Sequence, residues 1–257
     1  MPDGNAPPPG PEPEPEPEPE RRGTPQAPQA PLSRPSTLRG PVLALGDSIL
    51  CGPEEGAFGV PPRVWPQWLA EALDLPFHRL ARPGALARDV ADGFLGRLRD
   101  DYALACVGVG TNDVRSLDWD ARSFGTALDA ILAALEGRAA RVCVATVPLD
   151  LGRPRAGAKV ADLNAIVRER AASRGSTVVD LDDFGGWRHQ FPDAVHPTAL
   201  GQLEIASRAA DALDLDVSPV LLADVRTGRA ADLRYAATRQ VAHLARDWRR
   251  RAAERNV

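Results

Sequence analysis

From Pro41 onward, short apolar runs alternate with stretches of helical periodicity. Residues 42–45, 77–81, 103–108, 142–147 and 177–181 read as five strands. Most consist of Val, Leu, Ala or Cys without polar alternation, the pattern of strands covered on both faces. Between and after them, 65–73, 87–99, 121–136, 159–174 and 198–213 read as helices. In 121–136 the side chains of Phe124, Leu128, Ile131, Leu132 and Leu135 recur at helical spacing, giving one face to lay on a sheet. This strict alternation predicts an α/β fold. It is a three-layer α/β/α sandwich whose five-stranded parallel sheet follows a flavodoxin-like order, with the site at the carboxyl ends of the strands.

The two flanks break the pattern. Residues 1–40 include an unbroken Pro–Glu alternation from 11 to 20 and almost no apolar side chains. Such a segment cannot offset its ordering entropy, so a disordered acidic tail is expected. Residues 41–215 form the expected catalytic domain, and 216–257 a C-terminal extension ending in one long helix over 230–255. That helix carries an apolar stripe of Leu233, Ala237, Val241, Leu244 and Trp248, with Arg234, Arg239, Arg246, Arg249, Arg250, Arg251 and Arg255 around it. The stripe is expected to dock on its own domain or on a partner protein, as most amphipathic helices do. The alternative is an anionic membrane surface, which the arginines would suit.

Composition narrows the setting. A net charge of −4 over 257 residues gives no case for nucleic acid as a partner. The three cysteines, Cys51, Cys106 and Cys143, are odd in number, widely spaced and without a metal-binding pattern. Free thiols of this kind fit a reducing compartment. With neither a signal-peptide pattern at the start nor an apolar run of membrane-spanning length, a cytoplasmic location is expected.

Four short segments carry candidate chemistry. The first strand runs into Gly46-Asp47-Ser48, which sets a serine just past a strand end, where α/β sheets present reactive groups. Taken alone, this is equally a strand-capping turn. A nucleophilic serine needs a base and an acid to orient that base. Of the four histidines, His78 lies near a strand and reads as structural, and His243 sits among arginines. His196 follows Asp193 by three residues and precedes Pro197 and a helix, so the pair can converge on one substrate. His189 is the local rival, without an acid at a matching offset. The third strand ends in Gly110-Thr111-Asn112-Asp113, where the Asn112 amide could donate to an oxyanion or simply close a turn. Gly84, after the second strand, could offer a backbone N–H at close range and is the weakest of the four signals.

Together these segments resemble the sequence blocks of the SGNH (GDSL-type) hydrolases. Gly46-Asp47-Ser48 with Gly52 is similar to their first block, Gly84 to the glycine of the second, Gly110-Thr111-Asn112-Asp113 to the third, and Asp193-Ala194-Val195-His196 to the last. The resemblance spans about 41–213 and keeps the blocks in order. It implies Ser48 as nucleophile, His196 as base and Asp193 as its orienting acid. It also implies an oxyanion hole built from the Ser48 and Gly84 N–H groups with the Asn112 side chain. The expected activity is hydrolysis of small carboxylic esters. Acyl transfer by the same triad is one alternative, and an interaction or membrane-surface role of the C-terminal helix is another. Nothing in the sequence calls for a metal or an organic cofactor.

Overall fold

The computed structural model describes residues 38–53 and 55–241, together with Ala245. The Pro–Glu run, His243, Leu244, Trp248 and the last arginines lie outside them.

Five parallel strands form one sheet: β1 Val42–Gly46, β2 Phe77–Ala81, β3 Leu104–Gly108, β4 Val142–Ala145 and β5 Thr177–Val179, in the order β2-β1-β3-β4-β5. This is the expected flavodoxin-like order. The helices are α1 Trp65–Ala72, α2 Ala87–Phe94, α3 Thr111–Arg115, α4 Ala121–Leu135, α5 Lys159–Ser173, α6 Ala199–Ala212 and α7 Arg229–Tyr235. The short α3 is an addition to the expected set. α2 ends sooner than its periodicity suggested, since glycines at 93 and 96 weaken a helix there and the chain tightens into a short turn over Leu95–Arg97.

Strand side chains alternate between two apolar layers. Val42, Ala44, Leu104, Cys106, Cys143 and Ala145 join Trp65, Trp68, Leu203 and Ala206 of α1 and α6 on one face. Leu43, Leu45, Ala105, Val107 and Val144 join Val90, Leu128, Ile131, Leu163 and Val167 of α2, α4 and α5 on the other. Polar alternation is therefore absent from β1 and β3, whose two faces are both covered. The side chains of Cys106 and Cys143 sit side by side in the β3–β4 register, both buried.

β1 is central. The chain leaves it toward β2 on one side and later returns to β3 on the other, so a crevice opens above its carboxyl end. Here Gly46 is obligatory, because a Cβ would collide with the Gly108 carbonyl of β3. The close backbone approach lets the Asp47 N–H donate to that same carbonyl at 3.1 Å.

The C-terminal extension departs from expectation. α7 is followed by a wider helical turn over Ala236–Gln240, and it docks through Tyr235 rather than through the Leu233 stripe. Tyr235 is buried with its ring 4.4 Å from that of Phe58 and 6.1 Å from that of Trp187. Arg188 lies over Phe58 at 4.7 Å and pairs with Asp232 at 3.5 Å. The Arg226 N–H donates to the Phe58 carbonyl at 2.7 Å, further tying the extension to this loop. These contacts turn the opposite side of the helix outward, leaving Leu233 70% and Val241 60% exposed and Ala237 exposed between them.

Candidate active site

Ser48 begins a tight helical turn, Ser48–Leu50, directly after β1. Asp47 caps that turn, its Oδ1 accepting from the Ile49 N–H at 2.9 Å. The Ser48 Oγ lies 3.0 Å from His196 Nε2, and His196 Nδ1 lies 2.7 Å from Asp193 Oδ2. Thus a serine, a histidine and a carboxylate form one hydrogen-bonded line, as the sequence suggests.

The line is held from the Asp193 end. Asp193 Oδ1 accepts from the Val195 N–H at 2.9 Å and the His196 N–H at 3.1 Å, closing a turn in which Ala194 takes a left-handed φ of 52°. Burial opposes ionisation of Asp193. The hydrogen bond and charge of His196 and the two backbone N–H groups more than offset it, holding the carboxyl at about 2. An ionised Asp193 keeps the proton on His196 Nδ1, which leaves the Nε2 lone pair to accept from the Ser48 hydroxyl.

Three adjacent strand ends supply the other side. Since β1 lies between β2 and β3, the turns that follow those strands flank Ser48. After β2, Arg82-Pro83-Gly84-Ala85 makes a tight turn closed by the Ala85 N–H and the Arg82 carbonyl at 3.3 Å. Proline at its second position and glycine with φ 74° at its third are the residues a type II turn requires. A Cβ on Gly84 would meet nothing within 4 Å, so its left-handed φ, not crowding, selects glycine. After β3, Asn112 lies in the first turn of α3, and its Nδ2 donates to the Ala85 carbonyl at 3.0 Å. One of its two amide hydrogens is thereby fixed beside the Gly84 turn and the other remains for a ligand. Among the described residues neither the Ser48 nor the Gly84 N–H donates to the protein.

The two other described histidines are occupied elsewhere. His189 Nδ1 contacts the Gly185 carbonyl at 3.2 Å, and His78 Nδ1 contacts the Tyr102 hydroxyl at 2.8 Å. No group of three or more His, Cys, Asp or Glu able to hold a metal occurs among the described residues.

Several supporting residues escaped the sequence reading. Gln202, buried on α6, donates from Nε2 to the Ile49 carbonyl at 2.8 Å and accepts from the Trp65 N–H at 2.9 Å, so it pins the serine turn to α1. Its signal was a polar side chain on the face otherwise occupied by Ala199, Leu203 and Ala206. Asp113 receives the Ala87 N–H at 3.1 Å on both oxygens, anchoring the start of α2. Burial pushes its carboxyl up, with that N–H opposing.

Asp47 is the third. Its side chain is fully buried, and Oδ2 has no hydrogen-bond partner among the described residues. Burial raises its pKa from 3.8 to about 7, although the Ile49 N–H and His196 act in the opposite direction. Between those pH values the folded chain holds a proton that the unfolded chain has released, so stability falls as pH rises across that window. Asp47→Asn keeps an acceptor for Ile49 and removes the titration. The variant should therefore gain in Tm relative to wild type as pH rises from 4 to 7, and thermal melts at both ends of that range check it; equal gaps at the two pH values would contradict the assignment.

Beside this machinery lies an apolar cavity of about 30 Å³, bounded by Ile49, Val109, Pro148, Val195 and Pro197 among others. Three of its lining residues, Ile49, Val195 and Pro197, are immediate chain neighbours of Ser48 or His196.

Comparison with known proteins agrees with this geometry. Residues 44–203 match the GDSL-like lipase/acylhydrolase family. No match was found among curated proteins. Among solved structures, an α/β hydrolase from the metagenome of Lake Arreo superimposes with a TM-score of 0.54 at 18% identity, over 68% of this chain and 95% of that one. An acetylxylan esterase from Geobacillus stearothermophilus gives 0.53 at 18% identity, over 69% and 96%. A phospholipase A1 from Streptomyces albidoflavus gives 0.52 at 20% identity, over 68% and 98%. At these identities the likeness establishes a shared fold.

Proposed function

We propose that this chain, which belongs to the GDSL-like lipase/acylhydrolase family of carboxylic ester hydrolases, cleaves small acyl esters through an acyl-enzyme on Ser48. The observation that carries this reading is the continuous relay from Ser48 Oγ to His196 Nε2 at 3.0 Å and from His196 Nδ1 to Asp193 at 2.7 Å.

In the first step Ser48 Oγ attacks the ester carbonyl while its proton passes to His196 Nε2. The new imidazolium is stabilised by ionised Asp193. The oxyanion is received by the Ser48 and Gly84 N–H groups and the free amide hydrogen of Asn112, donors fixed before substrate arrives. His196 then gives its proton to the leaving alkoxide as the C–O bond breaks. Water, deprotonated by the same nitrogen, attacks the acyl-enzyme, and collapse of the second tetrahedral intermediate releases the acid and restores Ser48.

The cavity beside the site holds roughly two water molecules. Three cysteines, odd in number and widely spaced, fit a reducing, cytoplasmic setting.

Hydrolysis of p-nitrophenyl esters from acetyl to decanoyl tests the reading. Turnover should be greatest for the shortest esters; a decanoate preference would displace the short-chain assignment. Asn112→Ala should lower kcat by about 10²–10³ with a smaller change in KM, since its hydrogen bond strengthens as charge develops. Unchanged kcat in that variant would remove Asn112 from the oxyanion hole.

A further inference from the structure

The extension beyond residue 216 contributes nothing to the relay, yet it presents two distinct apolar faces. One is spent: Tyr235 is buried against Phe58 and Trp187. The opposite one is open. Leu233 and Val241, 70% and 60% exposed, flank the exposed Ala237 at successive helical turns, and the sequence continues this spacing to Leu244 and Trp248.

Two observations decide what this row fits. The first is its width. One aliphatic side chain per turn offers far less than the roughly 800 Å² per partner that a stable protein interface buries. A bilayer interface, by contrast, needs only a narrow apolar strip aided by charge. The second is the charge itself. From Arg229 to Val257 the sequence has eight arginines against Asp232, Asp247 and Glu254, within a chain of net charge −4. One of those acids, Asp232, is already paired with Arg188 of the domain. A basic end on an acidic protein is oriented by an anionic surface and repelled from nothing in it.

We propose that the Leu233–Ala237–Val241 row, with the arginines that follow it, docks the protein on an anionic lipid surface. Tyr235 and the Arg188–Asp232 pair then act as the rivet that holds the outward face in register with the domain. The row inserts at the headgroup boundary and the guanidinium groups meet lipid phosphates. No helix among the described residues is long and apolar enough to cross a membrane, so the contact is peripheral.

Flotation of the full-length protein with vesicles tests this. Wild type should float with equimolar phosphatidylcholine and phosphatidylglycerol, stay down with phosphatidylcholine alone, and be released by salt. The double variant Leu233→Glu, Val241→Glu should bind about tenfold less or worse, because it removes the apolar strip and adds repulsion. Arg249→Glu, Arg250→Glu, Arg251→Glu should do the same. Both variants should hydrolyse soluble p-nitrophenyl acetate at the wild-type rate, which shows that they are folded and separates this proposal from the catalytic one. Absence of wild-type flotation, equal flotation with both lipids, or full flotation by the Leu233, Val241 variant would each overturn it. So would a concentration-dependent doubling of mass abolished by that variant, which would assign the row to a second copy of the chain.

Discussion

Ser48→Ala should lower kcat/KM for p-nitrophenyl acetate by about 10⁵ or more, to the residue that binding and oxyanion stabilisation alone supply. Only one hydroxyl lies 3.0 Å from His196 Nε2 in the described geometry, and no neighbouring nucleophile is in position to replace it. Cys51 is three residues away, but its thiol contacts the Asp47 carbonyl, and burial pushes its pKa above the usual thiol value. The substitution removes a single oxygen and leaves the Asp47–Ile49 cap intact, so the fold should be unaffected. Fluorophosphonate labelling should disappear with the activity, and retention of either would reject Ser48 as the nucleophile.

Asp193→Asn should be the next most damaging change, at about 10⁴ in kcat. The side-chain oxygen that remains can still accept from the Val195 and His196 N–H groups, so the loop should keep its shape. The substituted amide would present its N–H₂ toward His196 Nδ1, favouring the tautomer whose proton sits on Nε2, where it cannot accept from Ser48. Loss in kcat together with cooperative unfolding at a lower Tm at pH 7 is the expected pattern, because the carboxylate's contribution to the fold goes with its charge; a variant within tenfold of wild type in kcat would show that another group orients His196. The wild-type carboxylate also stabilises the fold. With Asp193 held at about 2 against an ordinary 3.8, that contribution is complete above pH 3.8 and disappears as pH falls through 2.

The sheet was legible because both faces of its central strands are covered, which writes burial as uninterrupted apolar runs. β4 is shorter than its apolar run: Thr146 and Val147 leave the ladder, Thr146 to accept the Leu181 N–H on its hydroxyl. Apolarity persists there because Val147 remains buried outside the strand. Ser48, Gly84, Asn112, Asp193 and His196 were legible because each sits at an element boundary, where residue type reports local backbone need as well as chemistry. Gln202 and Asp47 were not, since their roles depend on depth and on distant partners: Gln202 meets Ile49 across 153 residues. In the C-terminal helix the periodicity marked the Leu233 stripe but not Tyr235, whose burial depends on the distant aromatic surface made by Phe58 and Trp187.

Ser48 and His196 are separated by 148 residues. On a ribosome adding about 5–20 residues per second, Ser48 would wait roughly 7–30 s for His196 to be made. Throughout that interval the emerging polypeptide has a serine with nothing to activate it. The Ser48–His196–Asp193 line can form only after β5 and residues 193–196 have been made, so it is a late reporter of folding. A chain cut short before residue 193 would lack that line altogether, and a serine-directed covalent probe should tell it from the full-length protein.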